Sequence, residues 1–69
     1  MSMVPETEIR NRVALAIRTG QILHVPYEAV QIASLYNADA NAIALELTEA
    51  GLRAGINMEL GKPSEARPA

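Results

Sequence analysis

Residues 28–52 read EAVQIASLYNADANAIALELTEAGL, and they decide the fold: two apolar helices joined by a tight turn. Pro26 suits the first position of the earlier helix because its missing N–H would be unpaired there anyway. Glu28 adds negative charge in the first turn, where the helix dipole favours it. Ala29, Ile32, Ala33 and Tyr36 then share one face, and Val30 and Leu35 widen the apolar surface beyond a single stripe. Asn37 suits a left-handed residue closing this helix, since Asn accepts positive φ more readily than any residue except Gly. Asp39 can cap the next helix by accepting from backbone N–H groups two or three residues on. Ala40, Ile43, Leu47 and Ala50 form the core face of that helix, with Leu45 and Leu52 as a second apolar line seven residues apart. Gly51 and Gly55 are alternative stop residues, and the pattern favours an end near Ala54.

Working outward, Pro5, Glu6 and Glu8 mark the start of a first helix running to about Arg18, with Gly20 as its left-handed terminator. Ile9, Val13, Ala16 and Ile17 give it an i, i+4, i+7, i+8 core stripe, from which Leu15 is excluded. Glu6 with Arg10 and Glu8 with Arg12 are i, i+4 pairs in the favourable order. The link from Gln21 to Val25 holds Ile22, Leu23 and Val25, too apolar for a freely solvated loop, so it is expected to pack over the core. Positions 1–4 read as a frayed leader, and the tail GKPSEARPA, residues 61–69, reads as disordered from its Pro, Gly and charge content. The expected organisation is one helical domain over residues 1–60, with helices at about 5–18, 26–36 and 39–54.

Size limits what such a domain can do alone. At 69 residues the chain can bury only about 60% of the surface its unfolded state exposes, so a monomer is marginal. There is no cysteine to form a disulfide, and a single histidine, His24, cannot build a metal site without further nitrogen or sulfur ligands. Self-association is the remaining means of support. The 49% hydrophobic content comes from Ala, Ile, Leu and Val, with Tyr27 and Tyr36 as the only aromatics, as in a helical bundle. The N-terminus lacks a basic region followed by an apolar run, and apolar runs such as Val13 to Ile17 are far shorter than the roughly 20 residues that span a bilayer. A soluble, cytoplasmic protein without membrane association is expected. A net charge of −2 and a pI near 5.2 argue mildly against nucleic acid as the main partner.

From Ile32 to Leu52 the residues IASLYNADANAIALELTEAGL resemble the helix-turn-helix of bacterial transcription regulators. Ala33 matches the small residue that packs on the turn, Asn37 the turn residue, and Ile43 and Leu47 the branched residues that lock the second helix. Ala50, Gly51 and Leu52 match the common ending. The resemblance implies a DNA-binding regulator as the alternative function, with Asn41 as the residue of the second helix able to read a base edge; the basic side chains available to phosphate in that case are Arg10, Arg12 and Arg53. Electrostatics does not supply what that function needs. Duplex binders obtain much of their affinity from Lys and Arg on phosphate, whereas residues 28–52 contain Glu28, Asp39, Glu46 and Glu49 and no basic side chain.

Catalysis has no residue set to carry it. A general base needs a positioned nucleophile or acid beside it, and neither Thr19 nor Ser34 sits in a motif that would pair it with His24. That histidine reads as a loop residue bonded to water or backbone. Glu46 and Glu49 share a helix face as a solvated pair, with Arg53 four residues beyond Glu49 to neutralise it. No glycine-rich loop introduces a phosphate-binding helix. An enzyme is not expected, and no catalytic residue, cofactor or metal is assigned. Tyr27 and Tyr36 lie nine residues apart and so on opposite sides of one helix; Tyr36 continues the core face, leaving Tyr27 for an interface. The reading is an all-α, three-helix domain with a helix-turn-helix-like hairpin, acting as a homodimeric protein–protein interaction or regulatory module. Its expected interface residues are Tyr27, Leu35, Leu45 and Leu52. The same apolar surface also admits another protein as its partner.

Overall fold

The computed structural model describes residues 5–66 and places three helices around one core. Helix α1 spans Glu6–Thr19, α2 spans Val25–Tyr36 and α3 spans Ala40–Ala54. The expected leader at positions 1–4 and the end of the tail at 67–69 lie outside the described residues. Each helix stops where the sequence places a left-handed residue: Gly20 at φ 72°, Asn37 at φ 52° and Gly55 at φ 71°. In each case the cap N–H donates back into the last turn, to the carbonyls of Ala16, Ala33 and Gly51 respectively. Asp39 caps α3 as its side chain accepts from the Asn41 N–H at 3.2 Å.

Ile32, Ile43, Leu47 and Val25 are the largest fully buried side chains, enclosed by Ile9, Val13, Ala16, Leu23, Ala29 and Ala44. Each large aliphatic removed from water contributes about 1.5–3 kcal/mol, so these residues hold α1 and the α2–α3 hairpin together. Three expected core residues are outside it: Ala40, the first residue of α3, is only partly buried and does not join the cluster. Ile17 is 55% exposed because it lies roughly 100° around α1 from Ala16, on a flank that no neighbour covers in the last turn. Tyr36 is 45% exposed because it ends α2, and its ring reaches across to α1, where its hydroxyl donates to Glu8 Oε1 at 3.1 Å.

The link and the tail hold structure beyond the three helices. Leu23–His24 forms β1, and Met58–Glu59 forms β2; they pair in parallel, Leu23 opposite Met58 and His24 opposite Glu59. Leu23 and Val25 are buried while Ile22 is half exposed, so the link covers the core through alternate residues, as an extended segment must. Past β2, Pro63–Glu65 makes a 3-10 turn that packs on α2. It is closed by Lys62, whose N–H donates to Glu65 Oε1 at 3.0 Å. Residues 61–66 of the expected tail carry this turn: Pro63 is set for it by its fixed φ, and α2 supplies a surface for it.

Candidate functional site

Apolar side chains left in water are the main unexplained surface of this molecule. On α3 the buried residues are Ile43, Ala44, Leu47 and Gly51. Counting about 100° per residue, Leu45 and Leu52 lie within roughly 20° of each other and more than about 120° from the centre of that buried line. They are 62% and 66% exposed. Asn41 and Thr48 border them on one side, and the Thr48 hydroxyl is occupied by the Ala44 carbonyl at 2.8 Å. Glu46, Glu49 and Arg53 border them on the other. The latter three line a cleft of about 330 Å³ between α1 and α3, together with Glu6, Ile9, Arg10 and Ala50.

The other two expected interface residues lie elsewhere. Leu35, 69% exposed, belongs to the α2 flank next to α1, where it lines a depression with Arg12, Val30, Gln31 and Ser34. Tyr27 is half-buried and borders a cleft of about 370 Å³ with Pro26, Glu59, Leu60 and Glu65. Its hydroxyl accepts from Gln31 Nε2 at 2.8 Å. The structure thus brings Leu45 and Leu52 together on one face, and sets Leu35 and Tyr27 on two different ones.

Of the expected DNA-contacting residues, Arg12 is the most committed within the chain. Its Nε donates to Glu8 Oε2 at 2.7 Å, its Nη1 to Glu28 Oε1 and, at 3.3 Å, to Gln31 Oε1. Burial alone would depress its pKa, and the bonds to Glu8 and Glu28 more than offset that, leaving it raised. The same network holds the Glu8 carboxyl below its ordinary range, first through the Arg12 bond and then through the Tyr36 hydroxyl. Tyr36 is raised in turn, chiefly because its hydroxyl proton is held in the bond to Glu8 that ionisation would break. Arg10 and Arg53 border the α1–α3 cleft among Glu6, Glu46 and Glu49. Among the described residues no ion pair joins Glu6 to Arg10 or Glu49 to Arg53, although both spacings allow one. Asn41 is exposed near the start of α3.

His24 has a partner that its neighbours in sequence do not announce. Its Nδ1 lies 2.8 Å from Glu59 Oε1, across the β1–β2 pairing. A carboxylate oxygen accepts, so Nδ1 is the donor in this contact. The expected water or backbone bond is replaced by this carboxylate because parallel register puts the two side chains opposite each other. Among the described residues no hydroxyl is hydrogen-bonded to His24: the Thr19 hydroxyl donates to the Leu15 carbonyl at 2.9 Å, and Ser34 lies on the exposed side of α2. Among the described residues no three His, Cys, Asp or Glu side chains are grouped to hold a metal ion, and no helix is long and apolar enough to cross a membrane. Comparison of the chain with protein families, curated proteins and solved structures finds no match.

Proposed function

We propose that this protein is a non-enzymatic interaction or regulatory module that works as a small helical homodimer. The observation that supports it is the pair Leu45 and Leu52, 62% and 66% exposed on one face of α3. An apolar helix face without cover is a docking surface or an aggregation hazard, and a two-fold dimer is the commonest way to close one. A chain of 69 residues with no cysteine also gains from association the stability its own core cannot provide.

Light scattering across a dilution series, together with sedimentation, tests the reading. The wild-type mass should be twice the chain mass of 7.4 kDa at high concentration and fall on dilution. Leu45→Glu should shift the equilibrium strongly to monomer, while Leu15→Glu, 47% exposed on α1, should not. A wild-type monomer at every concentration, or equal effects of the two substitutions, would refute it.

The α2–α3 hairpin supports a second reading, binding of duplex DNA. Three residues, 37–39, join the two helices, and Asn41 offers an amide at the start of α3 where base edges are read. Against it stands Arg12, held by Glu8, Glu28 and Gln31. Retention on duplex DNA that falls steeply with salt and depends on Arg10 or Arg53 would favour this reading; no retention at low salt would eliminate it.

A further inference from the structure

We infer that two copies of this chain join through α3 in antiparallel orientation, Leu45 of one copy against Leu52 of the other, with Glu46 and Arg53 pairing across the rim. The inference rests on the self-association proposed above and specifies its geometry. It follows from where α3 places three kinds of side chain.

Leu45 and Leu52 share one face and are about 10 Å apart along the helix, at 1.5 Å per residue. A two-fold axis crossing α3 midway between them, at Thr48–Glu49, sets each leucine against the other leucine of the second copy. The same axis aligns Arg53 with the level of Ala44 of the second copy. That places it within about two residues, or roughly 3 Å along the axis, of Glu46.

The charged flank then selects orientation. Glu46, Glu49 and Arg53 all lie on the α1 side of the leucine face, bordering one cleft, while Asn41 and Thr48 lie on the other side. For antiparallel helices the two-fold axis is perpendicular to the plane holding both helix axes, so like flanks fall on the same side of the dimer. Glu46 of each copy then faces Arg53 of the other, and the two Glu49 side chains meet near the axis as the one like-charge approach on this flank. For parallel helices the two-fold axis runs along the pair, and the charged flank of each copy faces the Asn41–Thr48 flank of its mate, leaving the charges unpaired. Parallel packing would also align two helix dipoles, which antiparallel packing opposes favourably. Within the chain, among the described residues, neither Glu46 nor Arg53 has a salt-bridge partner, so pairing between copies displaces none.

The occupied area fits a reversible dimer. Specific interfaces bury about 600 Å² or more per partner, roughly one-eighth of this chain's 4806 Å². A single 15-residue helix, about 22 Å long, supplies that only at the low end, where complexes dissociate readily.

The chain has no cysteine, so single thiols report orientation cleanly. Leu45→Cys and Leu52→Cys would be made in the full chain and treated separately and as an equimolar mixture with oxidised glutathione. That reagent takes up the two electrons released as two thiols become a disulfide. Disulfide-bonded Cα atoms are usually 4.4–6.8 Å apart, so the mixture should cross-link far more than either variant alone, in which like residues are separated by about 10 Å. Self-linking of either variant with no gain on mixing would overturn the antiparallel geometry and leave the dimer standing. Absence of a wild-type dimer in the dilution series would overturn both. As an independent readout, Arg53→Glu should weaken dimerisation roughly three- to tenfold, and Glu46→Arg combined with Arg53→Glu should restore it. Both positions are exposed, so helix content should not change. No recovery in the double variant would remove the proposed pairing.

Discussion

Replacing Arg12 with Met, and Glu28 with Gln, tests whether a single guanidinium fastens α1 to α2. Arg12 and Glu28 are only 20% and 22% exposed and belong to different helices. Met keeps much of the arginine stem's packing, so the comparison isolates charge. The local pair with Glu8, an i, i+4 contact at 2.7 Å, should contribute about 0.3–0.5 kcal/mol, as such helix pairs do. The partly buried bond to Glu28 should add about 0.5–1 kcal/mol, the upper part of the range for exposed pairs, because fewer waters compete for it. Arg12→Met should therefore cost roughly 0.8–1.5 kcal/mol, and the Arg12–Glu28 double-mutant cycle should return a coupling of about 0.5–1 kcal/mol. With a urea slope near 1 kcal/mol/M for so small a chain, the single substitution lowers the midpoint by about 1 M. Protein concentration must be held constant, since dimerisation adds to apparent stability. A coupling under about 0.2 kcal/mol would refute the reasoning and release Arg12 for contact with an outside phosphate.

Three further outcomes follow from the same structure. Glu8 is held below the ordinary value of 4.5, so the folded state releases its proton more readily than the unfolded one. Its stabilisation is complete above about 4.5 and lost as pH falls through the lower folded value; wild-type urea midpoints should drop more steeply than those of Glu8→Gln between pH 6 and 3, at roughly the spacing the linkage relation sets, and parallel curves would contradict this. Ile43→Ala, at a fully buried position, should cost about 2–5 kcal/mol, enough to unfold much of the population by circular dichroism, whereas Leu35→Ala should change stability by less than about 1 kcal/mol. Gly55→Ala should destabilise by about 1 kcal/mol because φ is 71° there and a Cβ strains a left-handed residue, even though nothing lies within 4 Å of the added carbon; unchanged thermal melting would argue that α3 ends differently.

The helices were legible because their signals are local. Gly20, Asn37, Gly55 and Asp39 each act within a turn of their own position, and Ile32, Ile43 and Leu47 repeat at helical spacing. Periodicity assigns a residue a direction but does not say whether a neighbouring element extends that far, which is why Ile17 and Tyr36 fit the stripe and still meet solvent. Arg12 paired locally with Glu8 as its spacing indicates, while its bond to Glu28, 16 residues away, depends on how α1 lies on α2. The partner of His24 was hidden for the same reason. Two-residue strands carry no alternation to read, so nothing around Met58 and Glu59 identifies them as the mates of Leu23 and His24.

The parallel pairing of β1 with β2 also imposes an order on folding. Its partners are 35 residues apart, and closing a loop of that length in a free chain costs on the order of 3 kcal/mol of entropy, which two residue pairs cannot offset. Once α2 and α3 have docked across their three-residue connection, however, the ends of the hairpin are already close and most of that cost has been met. The pairing should then form after the hairpin and be the first long-range contact to open. The Leu23 N–H, bonded to the Asn57 carbonyl at 3.0 Å, becomes a built-in reporter: its hydrogen exchange measures release of the strand pair, while the amides of Ile43 and Leu47 wait for the whole domain to unfold.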